Sequence, residues 1–472
     1  MKRKWMCGLL AVLMLFACCA VGCNKKPPVA GDEYEVNLDL DPNISATLKV
    51  TSYENELELF ESLMDGFNQF YPYVELEFDP LAGELYSTMM GYYGGDQMPD
   101  IMINQSFDML ALDGAGMLLN LDPYIRAEAA SGEEDAFDTS DYWDYFWKLG
   151  QRDFNGSQIM IPRSSDQVVV HYNKEVLKAA GVDLNPATTK VKNGWTWEDF
   201  LSVCAQVRAY FNESGTTRPI MDAYITWEAN FNAILSSFGV EYFRDGTSSI
   251  DSQNTRDALE LIRELRTSGY IAKTTSSIGA NFDGGQGAFM IHSRAIGETV
   301  EALQGGRYGS VALEDMHNVY DVVSFPLIGD TPKIGAGVAG YSIASTSQNR
   351  DVAWQFMKFM LSKEGQNILA DFGLTSPPMR KDMVDITDES NHWVKGYDKF
   401  NLNAYLYGRE ENYIQATEYI LERPARANDL KNTVSELVES YINTDAKDEQ
   451  LSRMLDELID KCAGDLEYWA YN

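Results

Sequence analysis

The first 22 residues constrain this chain more than any other segment. Residues 2–4 are all basic, and the run over residues 6–22 carries no charge. An apolar run of this length with these flanks is typical of a secretory signal, and it is too short for a stable membrane span. We therefore expect residues 1–22 to be removed as a signal peptide and the rest of the chain to fold outside the cytoplasm.

Cys23 directly follows Ala20, Val21 and Gly22. This order resembles the bacterial lipobox, in which the cysteine thiol is acylated and becomes the mature N-terminus. Ala20 stands where lipoboxes usually have leucine, and an ordinary cleaved signal with an incidental cysteine is the alternative. We predict lipidation at Cys23 as the only membrane anchor, followed by a flexible stalk over residues 23–45.

The acidic excess narrows the choice of ligand. The chain has 38 Lys and Arg against 71 Asp and Glu, a formal charge of −33, and loss of the three basic signal residues lowers it to −36. Nucleic-acid binding needs clustered basic side chains, so this composition argues against it. A neutral or cationic ligand fits such a chain, whereas an anionic ligand needs a basic pocket that focuses the field.

Two cysteines remain once the signal and Cys23 are set aside. Cys204 and Cys462 both lie on apolar stripes with helical spacing, which indicates small side chains in a core. Export permits a disulfide between them, and this alternative stays open. The four histidines have no paired ligand spacing, so we expect no metal site and no cofactor.

Strands and helices alternate in the first part of the folded chain. Periodicity predicts them at 47–51 (strand), 56–70 (helix), 74–78 (strand), 86–93 (helix) and 101–103 (strand). This order implies right-handed crossovers and a largely parallel sheet, so the fold class is α/β. Ligands of such sheets bind beyond the carboxyl ends of the strands, here residues 52–55 and 104–108.

A second α/β region begins near Val168. Thr196 and Asp199 have the spacing of a capping box at the start of a helix. Strands are predicted at 168–172, 319–326 and 341–344, and helices at 173–180, 229–238, 255–268 and 350–361. The chain from about residue 382 reads as mainly helical.

A series of short motifs then carries a family resemblance. The motifs are Phe67–Val74, Gly94–Ile101, Phe154–Gly156, Tyr172–Lys174, Thr196–Phe200, Gly284–Ile291, Ala353–Met360 and Glu364–Gln366. Their order and spacing resemble the extracellular solute-binding proteins of ABC importers, specifically the sugar-binding family 1 that includes maltose-binding protein.

The resemblance implies a two-lobed periplasmic-binding-protein fold of class II, with a hinge and a ligand cleft between the lobes. Lobe 1 is expected to hold residues 46–167 and 327–378, and lobe 2 residues 168–326 and 379–472. In this family a ligand in the cleft favours the closed form, which then docks on the transporter.

The resemblance also implies a set of ligand-binding residues, chosen because a sugar offers hydroxyl groups and apolar ring faces. They are Tyr53, Glu54, Asn55, Asn104, Gln105, Asp166, Trp227, Glu228 and Tyr341, and we add Arg294, at which the chain departs from the family pattern. The aromatic members have an alternative as core or hinge packing, and the polar members as a solvated surface.

Two features at the cleft bear on ligand chemistry. Many family members read G-x-W where this chain has His292-Ser293-Arg294, and an arginine there admits a uronic acid or another acidic sugar. Gly335–Gly340 matches G-x-G-x-x-G, but a strand rather than a helix is predicted to follow it, which argues against dinucleotide binding. We expect these glycines to let the backbone approach the cleft.

The sequence therefore predicts a lipid-anchored solute-binding protein on the extracytoplasmic face of a bacterial cell membrane. It captures a carbohydrate, expected to be an oligosaccharide, and delivers it to the permease subunits of an ABC importer. We expect a monomer that is not an enzyme and does not bind nucleic acid. The alternatives are a surface carbohydrate-active enzyme, which would use paired carboxylates, and a ligand sensor for a membrane signalling protein.

Overall fold

The computed structural model places two β-sheets with helices packed around them. It describes residues 33–152, 156–184, 193–223, 225–242, 247–272, 279–373, 376–416 and 427–471. The signal, Cys23, the first part of the stalk and the motif at Phe154 lie outside these ranges. No helix in the described ranges combines the length and apolar character needed to cross a bilayer.

The strands divide between the two sheets. They are β1 (Ala46–Ser52), β2 (Val74–Pro80), β3 (Ile101–Gln105), β4 (Ile161–Gln167), β5 (Val169–Asn173), β6 (Met221–Ala223), β7 (Phe289–His292), β8 (Tyr320–Ser324), β9 (Ile334–Ile343) and β10 (Ile414–Gln415). The first sheet has the order β10-β9-β3-β1-β2, with β4 also paired to β9, and the second has the order β6-β7-β5-β8.

The first sheet contains the parallel core expected from the alternation of strands and helices. β1 pairs in parallel with both β2 and β3, while β9 returns antiparallel to β3 and β4. The second sheet is mixed, because β6 and β7 are parallel whereas β5 is antiparallel to both of its neighbours. The chain passes from β4 of the first sheet to β5 of the second through Val168. The predicted α/β fold with two lobes is confirmed, while the residue boundaries of the lobes stay predictions.

The helices cover both sheets. They are α1 (Leu57–Phe67), α2 (Leu85–Gly94), α3 (Ser106–Gly114), α4 (Asp122–Ser131), α5 (Asp144–Lys148), α6 (Lys174–Ala179), α7 (Trp197–Glu213), α8 (Glu228–Ser237), α9 (Gln253–Thr267), α10 (Ala280–Asp283), α11 (Ile296–Gly305), α12 (Arg350–Met360), α13 (Lys363–Asp371), α14 (Ala427–Asn443) and α15 (Asp448–Tyr471). The predicted capping box is present, since Thr196 and Asp199 each accept a hydrogen bond from the other's backbone N–H.

Two sequence-based expectations differ from the structure. The strand after the glycine-rich segment is predicted at 341–344, but β9 already begins at Ile334 and includes the glycines. A Cβ at Gly335 would overlap the carbonyl of Ala229, and one at Gly340 the carbonyl of Ile161, so the glycines permit close backbone packing. The segment after residue 382 is mainly short 3-10 helices and loops up to Gln415, and long helices begin only with α14.

The end of the expected stalk packs on the first sheet's domain. The Arg350 guanidinium lies 4.6 Å from the ring centroid of Tyr34, and the Tyr34 hydroxyl donates to the carbonyl of Asn120. Leu40 is buried, and Arg126 pairs with Glu33. The described end of the stalk is therefore docked, because every second side chain from Tyr34 to Leu40 is buried or half-buried.

The two remaining cysteines lie in the core. Cys204 on α7 and Cys462 on α15 are both buried and both free, so the disulfide left open by the sequence is not formed. Burial raises the pKa of both thiols above the ordinary value. Within the described ranges, no group of His, Cys, Asp and Glu has the arrangement of a metal site.

Candidate ligand-binding cleft

A cavity of about 390 Å³ is lined by strands of the first sheet and by the start of α8. Its walls come from the carboxyl ends of β1 and β3, from β4, from the start of α8, and from β9 and β10. The lining residues are Tyr53, Gln105, Ser164, Asp166, Trp227, Glu228, Ala229, Asn232, Ala336, Gly337, Val338, Ala339, Gln415 and Ala416. This volume is within the range of small-molecule binding sites.

Tyr53 and Gln105 form the wall contributed by the parallel strands. Each follows or ends a strand, and because β1 and β3 are parallel neighbours, the two residues meet at one edge of the sheet. The Gln105 amide donates to the Tyr53 hydroxyl at 2.6 Å. Burial raises the pKa of Tyr53, so the phenol stays protonated and offers its hydroxyl to a ligand.

Asp166 occupies the wall formed by β4. It pairs with Gly337 across the β4–β9 ladder, and a Cβ at Gly337 would overlap its carboxylate. The Ser293 hydroxyl donates to Asp166 Oδ2 at 3.1 Å. Desolvation raises the pKa of Asp166 to about 6, although the hydrogen bonds from Ser293 and Gly337 act in the opposite direction. The carboxylate is therefore a hydrogen-bond acceptor held close to the backbone of β9.

Trp227 and Glu228 form the opposite wall. Trp227 directly precedes α8, and its indole stacks on the His292 ring with the centroids 5.3 Å apart and an interplanar angle of 22°. The side chain is half-buried, which leaves aromatic surface facing the cavity. Glu228 begins α8 and lies 3.8 Å from the Lys431 ammonium on α14. This wall thus combines a ring for stacking with a carboxylate for hydrogen bonding.

The structure brings together five of the ten predicted residues and places the other five elsewhere. Glu54 and Asn55 are exposed in a 3-10 turn, outside the cavity lining. Asn104 is fully buried and donates to the Ser342 hydroxyl at 3.2 Å. Its position one residue before Gln105 on β3 turns its side chain to the opposite face of the sheet.

Arg294 and Tyr341 also lie away from the cavity. Arg294 Nη1 donates to Asp283 at 2.7 Å, so the guanidinium already has a carboxylate partner within its own lobe. Tyr341 is fully buried, and its hydroxyl accepts a hydrogen bond from Arg163 at 3.0 Å. Arg163 in turn pairs with Glu56 at 2.6 Å, so Tyr341 belongs to a buried polar network behind the cleft.

Three polar lining residues were missed by the sequence reasoning. Ser164 lies two positions before Asp166 on the same face of β4, and Asn232 lies one helical turn after Glu228 on α8, so both spacings could have pointed to them. Gln415 lies in β10, a strand of two residues whose pairing with β9 leaves no periodic signal in the sequence.

The chemistry of the lining suits a ligand rich in hydroxyl groups. Carboxylates accept hydrogen bonds, amides and hydroxyls both donate and accept, and two aromatic rings can pack on apolar faces. Among the described lining residues there is no Lys, Arg or His to pair with an anionic group. The glycine motif lies within β9, where it shapes the cavity wall.

Two known proteins are similar in sequence to this chain over most of its length. An arabinooligosaccharide-binding protein of Halalkalibacterium halodurans is 22% identical over 403 residues, which cover 80% of this chain and 81% of that protein. An erythritol/L-threitol-binding protein of Mycolicibacterium smegmatis is also 22% identical over 403 residues, covering 80% of each chain.

The fold is also that of a known structure. The sugar-binding protein MalE from the phytopathogen Xanthomonas citri superposes with a TM-score of 0.69 at 16% sequence identity, over 89% of this chain and 97% of that one. The model of the family described as bacterial extracellular solute-binding protein matches residues 52–367, which is most of the chain and includes the second sheet, most of the first sheet and most of the cavity lining. The chain therefore belongs to the bacterial extracellular solute-binding protein family.

Proposed function

We propose that this protein captures a carbohydrate in the cleft and delivers it to the permease subunits of an ABC importer. The observation that carries the proposal is the composition of the cavity wall. Aromatic side chains (Tyr53 and Trp227) and uncharged or acidic hydrogen-bonding groups (Gln105, Asp166 and Glu228) surround one cavity between two lobes. Membership of the solute-binding family supplies the biological context.

Each part of the wall has a role in this proposal. The Trp227 indole stacks on the apolar face of a sugar ring, while Asp166 and Glu228 accept hydrogen bonds from ring hydroxyls. Tyr53 and Gln105, already hydrogen-bonded to each other, present a preformed donor and acceptor pair from the other lobe. A ligand that contacts both lobes binds the closed form more tightly and shifts the population toward it.

The ligand we favour carries no negative charge. The acidic-sugar option rested on Arg294, whose guanidinium pairs with Asp283 away from the cavity lining. Two lining carboxylates would repel a uronate or a sugar phosphate, and the overall charge of −33 adds to that repulsion. The relatives named for arabinooligosaccharides and for four-carbon polyols are consistent with a neutral ligand.

The N-terminal segment and the family support a proposal for the cellular location of the protein, to which we add its oligomeric state. We propose that Cys23 carries the lipid, that the protein faces the outside of a bacterial membrane, and that it works as a monomer. Residues 24–32 then connect the lipid to the docked segment that begins at Glu33. Binding without turnover is expected, because the proposed carboxylates orient a ligand that is released unchanged to the importer.

A thermal-shift screen of the mature chain tests the proposal. The panel contains arabinotriose, maltotriose, erythritol and digalacturonate. A ligand present at 100 times its Kd stabilises the native state by about 2.7 kcal/mol, so at least one neutral sugar should raise the Tm clearly. Product analysis of the same mixtures should show the sugar unchanged. Stabilisation by digalacturonate alone, or cleavage of any oligosaccharide, would contradict the proposal.

A further inference from the structure

The connection between β7 and α11 lies directly behind the cavity wall. His292 ends β7, and Ser293 and Arg294 follow it; we name these three residues the 292–294 turn. None of the three lines the cavity itself. Ser293, however, donates its hydroxyl to Asp166 at 3.1 Å, and the His292 ring stacks on Trp227 at 5.3 Å. One short turn thus contacts two lining residues that lie on different secondary-structure elements.

The 292–294 turn is itself held by one internal hydrogen bond and by two contacts from other parts of the chain. The Arg294 backbone N–H donates to His292 Nδ1 at 2.9 Å, and the Arg294 carbonyl accepts from the Tyr405 hydroxyl at 2.9 Å. The Arg294 guanidinium pairs with Asp283 at 2.7 Å. A support fixed in this way limits the orientations of the groups that it contacts, which is the condition for a preorganised binding site.

The protonation state of His292 suits a stacking partner. Because its Nδ1 accepts from a backbone N–H, the neutral ring carries its hydrogen on Nε2. Burial, with a smaller effect of the Arg294 charge, lowers the pKa of His292 to about 4. The ring therefore stays neutral at ordinary pH and presents an aromatic face to the indole.

The Ser293 hydroxyl has a different effect on Asp166. It donates to the carboxylate and so stabilises the ionised form against desolvation. The charged and titratable groups that also act on Asp166 are Glu298 on α11, whose charge opposes ionisation, and Tyr53 beside β1. Ser293 is thus the side-chain donor that keeps this acceptor ionised and directed toward one position in the cavity.

We infer that the 292–294 turn is the positioning element of this binding cleft, with Ser293 fixing the Asp166 carboxylate and His292 fixing the Trp227 indole. The consequence for affinity rests on the proposed function. The two positioning contacts, in contrast, are properties of the ligand-free protein. They can be tested even if no sugar binds.

Titration of Asp166 in the ligand-free mature chain tests the first contact. Carbon-13 carboxyl NMR follows the residue, and the spectrum of Asp166→Asn assigns its signal. Ser293→Ala should raise the pKa of Asp166 by about one unit through loss of a donor to the charged form, and Ser293→Thr should restore it. Ser164→Ala is the matched control, because among the described hydrogen bonds it is Ser293, and not Ser164, whose hydroxyl donates to Asp166. An unchanged pKa in Ser293→Ala would overturn the assignment of Ser293.

The second contact is tested by changing the ring of His292. The indole NMR signal of Trp227, assigned with Trp227→Phe, should shift and broaden in His292→Ala but stay sharp in His292→Phe. Arabinotriose affinity should fall at least about fivefold in His292→Ala, because the stacking platform becomes mobile, and should recover in His292→Phe. A sharp, unshifted indole signal in His292→Ala would refute the inference. Absence of binding by the unmutated chain to every neutral sugar would instead refute the proposed function.

Discussion

Replacement of Asp166 by asparagine should make the ligand-free protein more stable while it removes binding. Desolvation raises the pKa of Asp166 to about 6, from an ordinary value of 3.8 for an aspartate. Between these two pH values the folded state binds more protons than the unfolded state, so ionisation of this group destabilises the fold as the pH rises. An uncharged amide of the same size avoids that cost.

The magnitude follows from the displacement of the pKa. A difference of about two units, at about 1.4 kcal/mol per unit, gives a cost of about 3 kcal/mol above pH 7. This value is an upper bound, because one side of the carboxyl faces the cavity and is partly solvated. The same relation leaves only about 1 kcal/mol at pH 4.5, where the folded protein keeps Asp166 mostly protonated.

Urea unfolding at pH 4.5 and pH 7.5 provides the assay, with the difference between variant and unmutated protein taken at each pH. Asp65→Asn on the exposed face of α1 is the matched control for the removal of one carboxylate. Calorimetric titration with arabinotriose measures binding. A stability difference that is the same at both pH values, or a variant less stable at pH 7.5, would refute the reasoning about desolvation.

Four further outcomes are expected. Trp227→Ala should weaken sugar affinity about 30-fold or more but lower the Tm much less than Trp354→Ala, which empties a fully buried site; normal binding with a large loss of Tm would place Trp227 in the core instead. Gly337→Ala should reduce affinity by displacing the Asp166 carboxylate, as measured by calorimetry. Cys23→Ser should release the protein from membranes into the detergent-free supernatant, and retention of the variant in the membrane fraction would contradict lipid anchoring. Small-angle scattering should show a smaller radius of gyration with bound sugar, whereas an unchanged radius would count against closure.

Local sequence patterns were sufficient to predict many of the strands and helices and some of the residues that line the cleft. The alternation of β1, α1 and β2 follows from periodicities that act over a few residues. Tyr53 and Gln105 could be predicted as cleft residues because parallel strands present their carboxyl ends at one edge. Asp166 and Trp227 came from the family resemblance, and both line the cavity.

Predictions from local pattern were wrong about the position of side chains whose partners are distant in sequence. Tyr341 follows the glycines of β9, yet it is buried against Arg163, a residue 178 positions away. Arg294 was predicted as a residue that could bind an anionic group, but in the folded chain its guanidinium pairs with Asp283. A buried or half-buried charged side chain pairs with an opposite charge that the fold places beside it. Only the tertiary structure shows which residue that partner is.

The fold class, the alternation of the first strands and helices, and the strand ends at which a ligand can bind could all be predicted from the amino-acid sequence. This was possible because hydrophobic periodicity and capping act locally, and because the family motifs keep a fixed order along the chain. The tertiary structure alone decided which polar groups share the cavity. Ser293 meets Asp166 across 127 positions, and Gln415 reaches the wall through a strand of two residues, so neither placement leaves a local trace in the sequence.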